Sequence, residues 1–165
     1  MSNQSNIFIE RVRLLDPCED RDQVVNIWLN EGIVQDFSPQ LLPHDCTKII
    51  NGQGLILGTG LVDLYSHSGE TGYEDRETLQ SLTNSAIAGG YTRINILPDT
   101  LPTIDHPSQL TLLQSKAPNH LQISFWANFS MGGKGEKMTE LAELAQAGAI
   151  GFTDAKGIQN TTLLR

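Results

Sequence analysis

Cysteine is scarce in this sequence, and the two that occur, Cys18 and Cys46, do not form a CxxC pair. Isolated cysteines are usually reduced and unreactive in a cytosolic protein, so neither a disulfide framework nor a cysteine-rich metal site is expected. Basic residues are also few, since 11 Lys and Arg stand against 19 Asp and Glu, a formal net charge of -8. We therefore expect no nucleic-acid partner and no binding to an anionic membrane.

A long apolar run and a recognisable leader are missing as well. The first residues, MSNQSNIFIERVRLLD, lack the basic and then apolar composition of a signal peptide, and no stretch approaches the length of a membrane span. We expect a cytoplasmic protein. With 39% hydrophobic and 18% charged residues, the composition is that of a globular chain, and 165 residues suffice for a substantial core.

Short runs of β-type residues occupy the first third of the chain. Ile7-Phe8-Ile9 opens the first run, and Cys46 to Ile50 is a further candidate strand. Val24 to Leu29 leads into Asn30-Glu31-Gly32 and then Ile33-Val34, which predicts a hairpin in which Gly32 supplies the positive φ angle. Helical periodicity is weak here, so residues 1–57 are predicted to form a small β-sheet element.

From residue 58 onward, apolar runs alternate with segments of helical spacing. The expected strands are residues 60–65, 92–97, 121–129 and 149–154, and the expected helices are residues 74–88, 107–116 and 139–148, the last with Thr139 as N-cap. This alternation predicts a parallel α/β architecture. A further helix would begin at residues 161–165. A doubly wound sheet could end there, whereas a closed eight-stranded barrel needs about 250 residues.

The segment Met131-Gly132-Gly133-Lys134-Gly135 is rich in glycine but does not fit a phosphate-binding loop. It lacks the spacing of a P-loop, and Lys134 is not followed by Ser or Thr. We therefore expect a flexible connection.

Four polar residues stand where the predicted strands end: His67, Asp99, Asn128 and Asp154. In parallel α/β folds, reactive groups gather at the carboxyl ends of the strands, so these side chains are expected to converge. A histidine and carboxylates on one face are suitable ligands for a divalent metal. On its own, a loop histidine is more often an ordinary surface residue.

The stretch GLVDLYSHSGETGYEDRETLQSLTNSAIAGGYTRINILPDTLPTID, residues 60–105, resembles the signature region of dihydroorotases. That family has Gly-(Phe/Leu)-(Ile/Val)-Asp-Leu-His-x-His-x-Arg-Glu-Pro-Gly, then Ala-Gly-Gly-(Phe/Tyr)-Thr, and then Met-Pro-Asn-Thr-x-Pro-x-Asp. VRLLDP (residues 12–17), the NIWLNEGIV hairpin and GAIGFTD (residues 148–154) occur in the expected order. The resemblance implies the N-terminal half of a (β/α)8 TIM-type barrel over residues 58–165, preceded by the small β-sheet.

The resemblance also implies a zinc site that has changed here. The family's His-x-His pair falls at Tyr65-Ser66-His67, so its first histidine is replaced by a phenol, a poor substitute for a neutral imidazole. Asp154 matches a strand-four aspartate that ligates metal in one branch of the family, and we expect it to be the catalytic residue. Asp63 is retained and would orient a neighbouring ligand. The expected metal positions are Tyr65, His67 and Asp154.

Two substrate-binding positions are altered as well. The family Arg that grips the substrate carboxylate falls at Gly69, which deletes a bidentate contact. The family Asn of the strand-two motif falls at Asp99, where a carboxylate would repel the substrate's own carboxylate unless a cation intervenes. The family's remaining metal ligands would lie beyond Arg165. His44, His106 and His120 match no metal position of the family, and we expect them to be incidental.

Three functions remain open. The first is a dihydroorotase-like amidohydrolase of pyrimidine biosynthesis, interconverting carbamoyl aspartate and dihydroorotate by zinc-dependent cyclic amide hydrolysis and impaired in this chain. The second, favoured mechanistically, is a non-catalytic scaffold that partners aspartate carbamoyltransferase. The third is an amidohydrolase with another substrate. Losing one Arg contact and one metal ligand should each cost on the order of several kcal/mol of transition-state binding. We do not expect activity from this chain alone. Zinc is the cofactor that the resemblance implies, and its loss is left open as an alternative.

An open four-strand sheet would also leave two strand edges unpaired. We therefore expect a homodimer or a complementing half-barrel chain.

Overall fold

The computed structural model describes residues 6–43 and 48–156, and the chain divides after Thr59 into two compact units. The sequence pattern puts this boundary after residue 57. The start of the candidate strand at Cys46, the candidate helix at residues 161–165, and His44 lie outside the described residues. No helix in the described part of the chain is long and apolar enough to cross a membrane.

The first unit is a single five-stranded sheet. Its strands follow the order β3-β2-β1-β4, and β5 also pairs with β1. The β1–β2 and β2–β3 pairs are antiparallel, whereas β4 and β5 run parallel to β1. Val12, Val25 and Ile27 form its buried apolar centre. The strand bounds are β1 Asn6–Asp16, β2 Arg21–Asn30, β3 Ile33–Ser38, β4 Lys48–Asn51 and β5 Ile56–Leu57.

The hairpin between β2 and β3 has a two-residue loop. Asn30 pairs with Ile33, and both loop residues have positive φ, 52° at Glu31 and 78° at Gly32. Positive φ at both positions is the backbone of a type I′ turn, whose twist matches that of the flanking strands. The sequence predicted the hairpin and the role of Gly32, but it missed the left-handed conformation of Glu31.

Up to residue 156, where the described part of the chain ends, the second unit has three parallel strands in the order β6-β7-β8 and three α-helices. Residues 149–154 continue the sheet beside β8. Ile150 N donates to Phe125 O over 3.1 Å, Thr153 N donates to Ala127 O over 2.9 Å, and Ala127 forms a parallel bridge with Phe152. The four predicted strands thus lie side by side in chain order. The bounds are β6 Leu61–Ser66, α1 Leu79–Ala88, β7 Tyr91–Ile96, α2 Pro107–Lys116, β8 Gln122–Phe125 and α3 Leu141–Gln146.

All three helices pack into one hydrophobic cluster on one face of this sheet. Leu79 of α1, Leu110 of α2 and Leu144 of α3 are buried with Ile96 and Phe125 of the strands. A doubly wound sheet carries helices on both faces, whereas a (β/α)8 barrel has parallel strands in sequence order inside a ring of helices. The second unit therefore has the arrangement of the first four strands of a TIM-type barrel.

Two helix starts differ from the sequence prediction. Helix α1 begins at Leu79 rather than at residue 74, because Thr78 and Ser81 form a reciprocal capping box at that point. Helix α3 begins at Leu141. Thr139 is not its N-cap, because its hydroxyl donates 2.8 Å to the backbone oxygen of Asn128. Helix α2 has the predicted bounds, with the His106 ring accepting from Ser108 N.

Glu70 fixes the loop that follows β6 to two helices. Its Oε2 accepts from Leu79 N over 3.0 Å at the start of α1, and its Oε1 accepts from Lys116 Nζ over 2.9 Å at the end of α2. The hydrogen bond from Lys116, with the amide of Leu79 adding to it, lowers the pKa of the Glu70 carboxyl below its ordinary value of 4.5. The ionised carboxylate therefore stabilises the fold, and this loop is anchored from both sides.

Replacing Glu70 with Gln keeps the shape but removes the charge. We expect the free energy of unfolding at pH 7 to fall by about 0.5–1 kcal/mol, a figure reduced for solvent screening at the partly exposed lysine. Because folding lowers this pKa, the stabilisation is present above pH 4.5 and is lost as the pH falls through the folded-state pKa. Urea unfolding of both proteins should therefore converge at low pH. The exposed Glu136→Gln is the matched control, and a difference that persists in acid would contradict the assignment.

Candidate functional site

The predicted polar residues lie at the carboxyl ends of the parallel strands in the second unit. His67 and Asp99 form a direct pair there, with His67 Nδ1 2.6 Å from Asp99 Oδ2. They meet because β6 and β7 are neighbours, and Leu97 N donates 2.9 Å to Ser66 O immediately before both side chains. The carboxylate engages one ring nitrogen and so orients the imidazole, leaving Nε2 as its other polar atom.

Asp154, expected as catalytic residue and metal ligand, is committed to a structural contact. It is 7% exposed, and its Oδ1 accepts from Ser130 N over 2.8 Å while its Oδ2 accepts from Ser130 Oγ over 2.7 Å. Ser130 Oγ in turn accepts from Gly135 N over 2.7 Å. Asp105 Oδ2 accepts from Gly132 N over 2.8 Å at the same loop. Asp154 therefore holds the glycine-rich loop, which the sequence described only as a flexible connection.

Tyr65, the second expected metal position, is 53% exposed on β6. Its backbone amide donates 2.9 Å to Asp63 Oδ1, so the retained aspartate contacts main chain rather than a metal-binding side chain. Tyr65 lines neither of the two pockets that contain His67, Asp99 and Asp154. The structure thus brings His67 together with Asp99, and Asp99 together with Asp154, but it does not bring Tyr65 to either group.

Gly69 has no room for the side chain that the family pattern places there. An added Cβ would lie 2.4 Å from the carbonyl oxygens of Tyr73 and Glu77. Both are backbone atoms, which a side-chain rotation cannot move away. The close approach belongs to the turn that leads into α1, where Tyr73 N donates 2.7 Å to Gly69 O. The backbone of this loop is therefore folded so that residue 69 cannot carry a side chain, and the family Arg could not be restored by a simple exchange.

Two small pockets share Asp99. The first, of about 190 Å³, is lined by His67, Ser68, Gly69, Tyr73, Arg76, Glu77 and Asp99. The second, of about 160 Å³, is lined by Pro98, Asp99, Thr100, Thr103, Asn128, Gly132, Gly133, Asp154 and Lys156. Sequence reasoning missed the two cations, Arg76 and Lys156. For Lys156 the sequence offered a signal. It follows Asp154 by two residues at a strand end, the same spacing that separates His67 from Tyr65.

The residues present do not fit the zinc site that the resemblance implies. In the described ranges 6–43 and 48–156, no three His, Cys, Asp or Glu side chains are close enough together to hold a metal ion. A structural or catalytic zinc site needs three or four protein ligands. His106 caps α2, and His120 lines a pocket with Tyr91 and Gln122 at the start of the strands. Neither lines the two pockets that contain His67, Asp99 and Asp154.

Restoring the family Arg at Gly69 should fail because the backbone leaves no space for any side chain. We expect Gly69→Arg to lower the free energy of unfolding by about 2 kcal/mol or more, without raising zinc affinity. Denaturant unfolding and zinc titration measure the two quantities. Gly58→Ala is the control, since a Cβ there meets nothing closer than Leu15 O at 3.6 Å. A stable Gly69→Arg protein that gains zinc binding would show that the loop had been rebuilt.

Comparison with known proteins places this geometry in a family. The family model described as Dihydro-orotase-like matches residues 54–164. The "Probable dihydroorotase-like protein" of Synechocystis sp. is 36% identical over 182 aligned residues, covering 94% of this chain and 41% of that protein. The dihydroorotase of Geobacter sp. (strain M21) is 31% identical over 163 residues, covering 97% of this chain and 38% of that protein. The chain therefore spans about two fifths of the length of these relatives.

Solved structures agree on the fold. The L-hydantoinase (dihydropyrimidinase) of Arthrobacter aurescens has a TM-score of 0.73 at 21% identity, covering 90% of this chain and 32% of that enzyme. The N-acyl-D-glutamate deacylase of Bordetella bronchiseptica has a TM-score of 0.60 at 14% identity, covering 99% of this chain and 41% of that enzyme. At such identities the likeness concerns the fold alone. The family match over residues 54–164 shows that this chain belongs to the dihydroorotase-like family.

Proposed function

We propose that this chain is a dihydroorotase-like amidohydrolase segment whose hydrolytic site is impaired. The observation that carries the proposal is the absence, among the described residues, of any group of three metal-binding side chains at the strand ends. The family reaction needs a metal to activate water for attack on a cyclic amide. Here, His67 is paired with Asp99, and Asp154 is hydrogen-bonded to Ser130. The site therefore lies at the strand ends, where a catalytic centre is expected, but it is not expected to activate water for the family reaction.

What the remaining side chains can do favours binding over turnover. His67, held by Asp99, has the arrangement of an oriented general base, and such a base contributes about 10²–10⁴-fold to a rate. Stabilisation of the developing charge is usually the larger contribution to catalysis, and it needs donors or a cation aimed at the reacting oxygen. The backbone at Gly69 excludes the family Arg. We therefore propose that dihydroorotate is not hydrolysed at a useful rate, and that zinc, the cofactor implied by resemblance, is lost.

A chimera separates the effect of these residues from the effect of chain length. Residues 60–105 of this chain would replace the corresponding segment of the Geobacter sp. (strain M21) dihydroorotase, which is 31% identical over 163 residues. We expect the chimera to bind well under one equivalent of zinc and to lose at least about 10³-fold in kcat/KM for dihydroorotate. Metal analysis and a hydrolysis assay measure these quantities.

The unaltered relative is the positive control, and circular dichroism checks that the chimera folds. A folded chimera with a full complement of zinc and an undiminished rate would refute the impairment. The same measurements on this chain by itself should show neither zinc retention nor turnover.

A non-catalytic scaffold is the second candidate, and the surface of β6 favours it. Leu61, Val62, Leu64 and Tyr65 on this strand are each about half or more exposed. In the described sheet β6 lies at an edge, and an unpaired edge strand with apolar side chains tends to associate. We propose that a second copy or a complementing half-barrel chain covers it. Aspartate carbamoyltransferase is the scaffold partner that the family resemblance suggests.

Light scattering on the purified chain tests this association. At about 20 μM we expect a dimer or larger species, since burying an apolar strand edge is favourable at about 25 cal/mol per Å². Charged substitutions at Leu61 and Leu64 should shift the species to monomer. Lys137→Glu, on the loop before α3, is the control for added charge. A monodisperse monomer of the unaltered chain would contradict the proposal. Added aspartate carbamoyltransferase that leaves the mass unchanged would exclude that partner.

A further inference from the structure

We propose that the first unit carries a binding site for a small monocarboxylate with an apolar body. The site is a pocket of about 510 Å³ that lies wholly within this unit. None of its lining residues belongs to the two strand-end pockets, so the proposal does not depend on whether the hydrolytic site is impaired. The walls of the pocket include Arg11, Arg13, Val24, Gly54, Leu55 and Ile56.

A β-bulge in β1 decides which side chains face this pocket. The step from Ile9 to Val12 spans three residues of β1 but only two of the paired strand β2. Ile9 and Val12 therefore both belong to the apolar cluster on one face of the sheet. Arg11 and Arg13 stand on either side of Val12, and both are exposed and line the pocket on the opposite face.

The backbone at Arg11 is strained and is held by a side chain of the neighbouring strand. Its φ is 53°, in the left-handed region that residues with a Cβ rarely adopt. Arg11 N donates 2.9 Å to Asn26 Oδ1, and Asn26 Nδ2 donates 2.8 Å to Leu41 O, so the asparagine is fixed at both ends of its amide. Strained residues that their surroundings support cluster at ligand-binding positions. The bulge is thus a built feature that gives Arg11 a defined direction.

The two guanidinium groups of the pocket are not equivalent. Arg13 is engaged, because its Nε donates 2.7 Å to Asp22 Oδ1 and its Nη2 donates 2.6 Å to Asp22 Oδ2. These hydrogen bonds lower the pKa of the Asp22 carboxyl below its ordinary value, so Asp22 stays ionised and neutralises Arg13. Arg11 forms no ion pair with any residue in the ranges that the structure describes. One guanidinium is therefore left to bind a carboxylate through two parallel hydrogen bonds.

Apolar side chains stand beside the charged groups. Val24 of β2 and Ile56 of β5 are both paired with Arg13, so these three side chains form a row across one face of the sheet. Val24, Leu55 and Ile56 are 56%, 55% and 61% exposed, and a ligand with an apolar body would cover them. Gly54, with a φ of 81°, has nothing within 4 Å of the place of a Cβ, which leaves this side of the pocket open.

Volume and charge together select the ligand class. About 510 Å³ falls in the range of about 300–1,000 Å³ that is typical of small-molecule sites, so a ring with a short chain fits. Among its described lining residues the pocket offers one unpaired cation, and the chain carries a formal net charge of -8. A dianion such as a phosphate monoester is therefore disfavoured. A single carboxylate for Arg11 and an apolar body for Val24, Leu55 and Ile56 match both parts of the pocket.

Amide-detected NMR of the full chain with phenylacetate tests the site. Phenylacetamide, which has nearly the same shape without the charge, is the matched control ligand. We expect saturable shifts of the Gly54 and Leu55 amides with phenylacetate, with a Kd on the order of 1 mM. Phenylacetamide should bind at least about tenfold more weakly because it cannot pair with a guanidinium, and so should acetate because it lacks the ring. Phenyl phosphate should bind no more tightly than phenylacetate.

Variants test the cation and the apolar wall separately. Arg11→Gln should weaken phenylacetate binding at least about tenfold, and Arg11→Lys, which keeps the charge but loses the planar fork, by about threefold. Lys48→Gln is the control for charge, because Lys48 of β4 also belongs to the first unit but does not line the pocket. Val24→Thr, which makes the wall polar at nearly unchanged volume, should weaken binding by about threefold. Val34→Thr is its control, since Val34 of β3 is 51% exposed and lies outside the lining.

The comparison of the two ligands is made on the unaltered chain, so it does not rest on the folding of any variant. Absence of saturable shifts up to about 20 mM, or phenylacetamide binding as tightly as phenylacetate, would overturn the proposal. Shifts centred on other residues, or a folded Arg11→Gln protein with unchanged binding, would do the same. Tighter binding of phenyl phosphate than of phenylacetate would overturn the stated ligand class. None of these measurements uses dihydroorotate, so the proposed impairment is judged separately.

Discussion

The hydrogen bonds between the Asp154 carboxylate and Ser130 are the interaction on which the strand-end surface depends. They join the last described strand segment to the loop after β8, and Ser130 passes the constraint on to Gly135. That loop carries Gly133, which lines a pocket together with Asn128, and a Cβ at residue 133 would lie 3.0 Å from the Asn128 side-chain amide. A buried carboxylate is tolerated in this position because both of its oxygens are hydrogen-bonded. Asp154, which the sequence predicts as a metal position, thus holds the loop through the amide and the hydroxyl of Ser130.

At His67, too, a side chain contacts a neighbouring residue of the strand-end surface. Its partner Asp99 stands where the family pattern has an amide, and the extra charge is accommodated by an imidazole ring 2.6 Å away. Under the proposed function, no anionic ligand enters this pocket against Asp99. Gly69 is consistent with this, since the turn through Tyr73 and Glu77 fills the space that a longer side chain would need. The changes at residues 69 and 99 therefore reinforce each other: one removes the cation for a carboxylate ligand and the other adds a repulsive charge.

The sequence was sufficient for the architecture because strand and helix periodicity, glycine turns and chain order each pointed to the same fold. Helix α2 over residues 107–116 and the hairpin at Gly32 are examples in which local chemistry decides the structure. The start of α1 could not be located in this way. The helical periodicity extends back to residue 74, whereas the capping pair Thr78–Ser81 starts the helix only at Leu79. The convergence of His67 with Asp99 followed from parallel strands. Two other features could not be predicted from the strand order: the hydrogen bonds from Ser130 to Asp154 and the close backbone contacts at Gly69. Both depend on how loops pack, which no local sequence pattern encodes.

Family membership and chemistry are carried by different residues in this chain. The match extends over residues 54–164, where glycines, capping residues and strand cores fix the backbone of the barrel segment. Packing determines the residues at those positions. The chemistry depends on a few side chains at the strand ends. These side chains can change without disturbing the hydrophobic core between the helices and the sheet. His67 contacts Asp99, and Asp99 lines a pocket together with Asn128, so these side chains stand on backbone that the fold supplies and can change while the fold is kept.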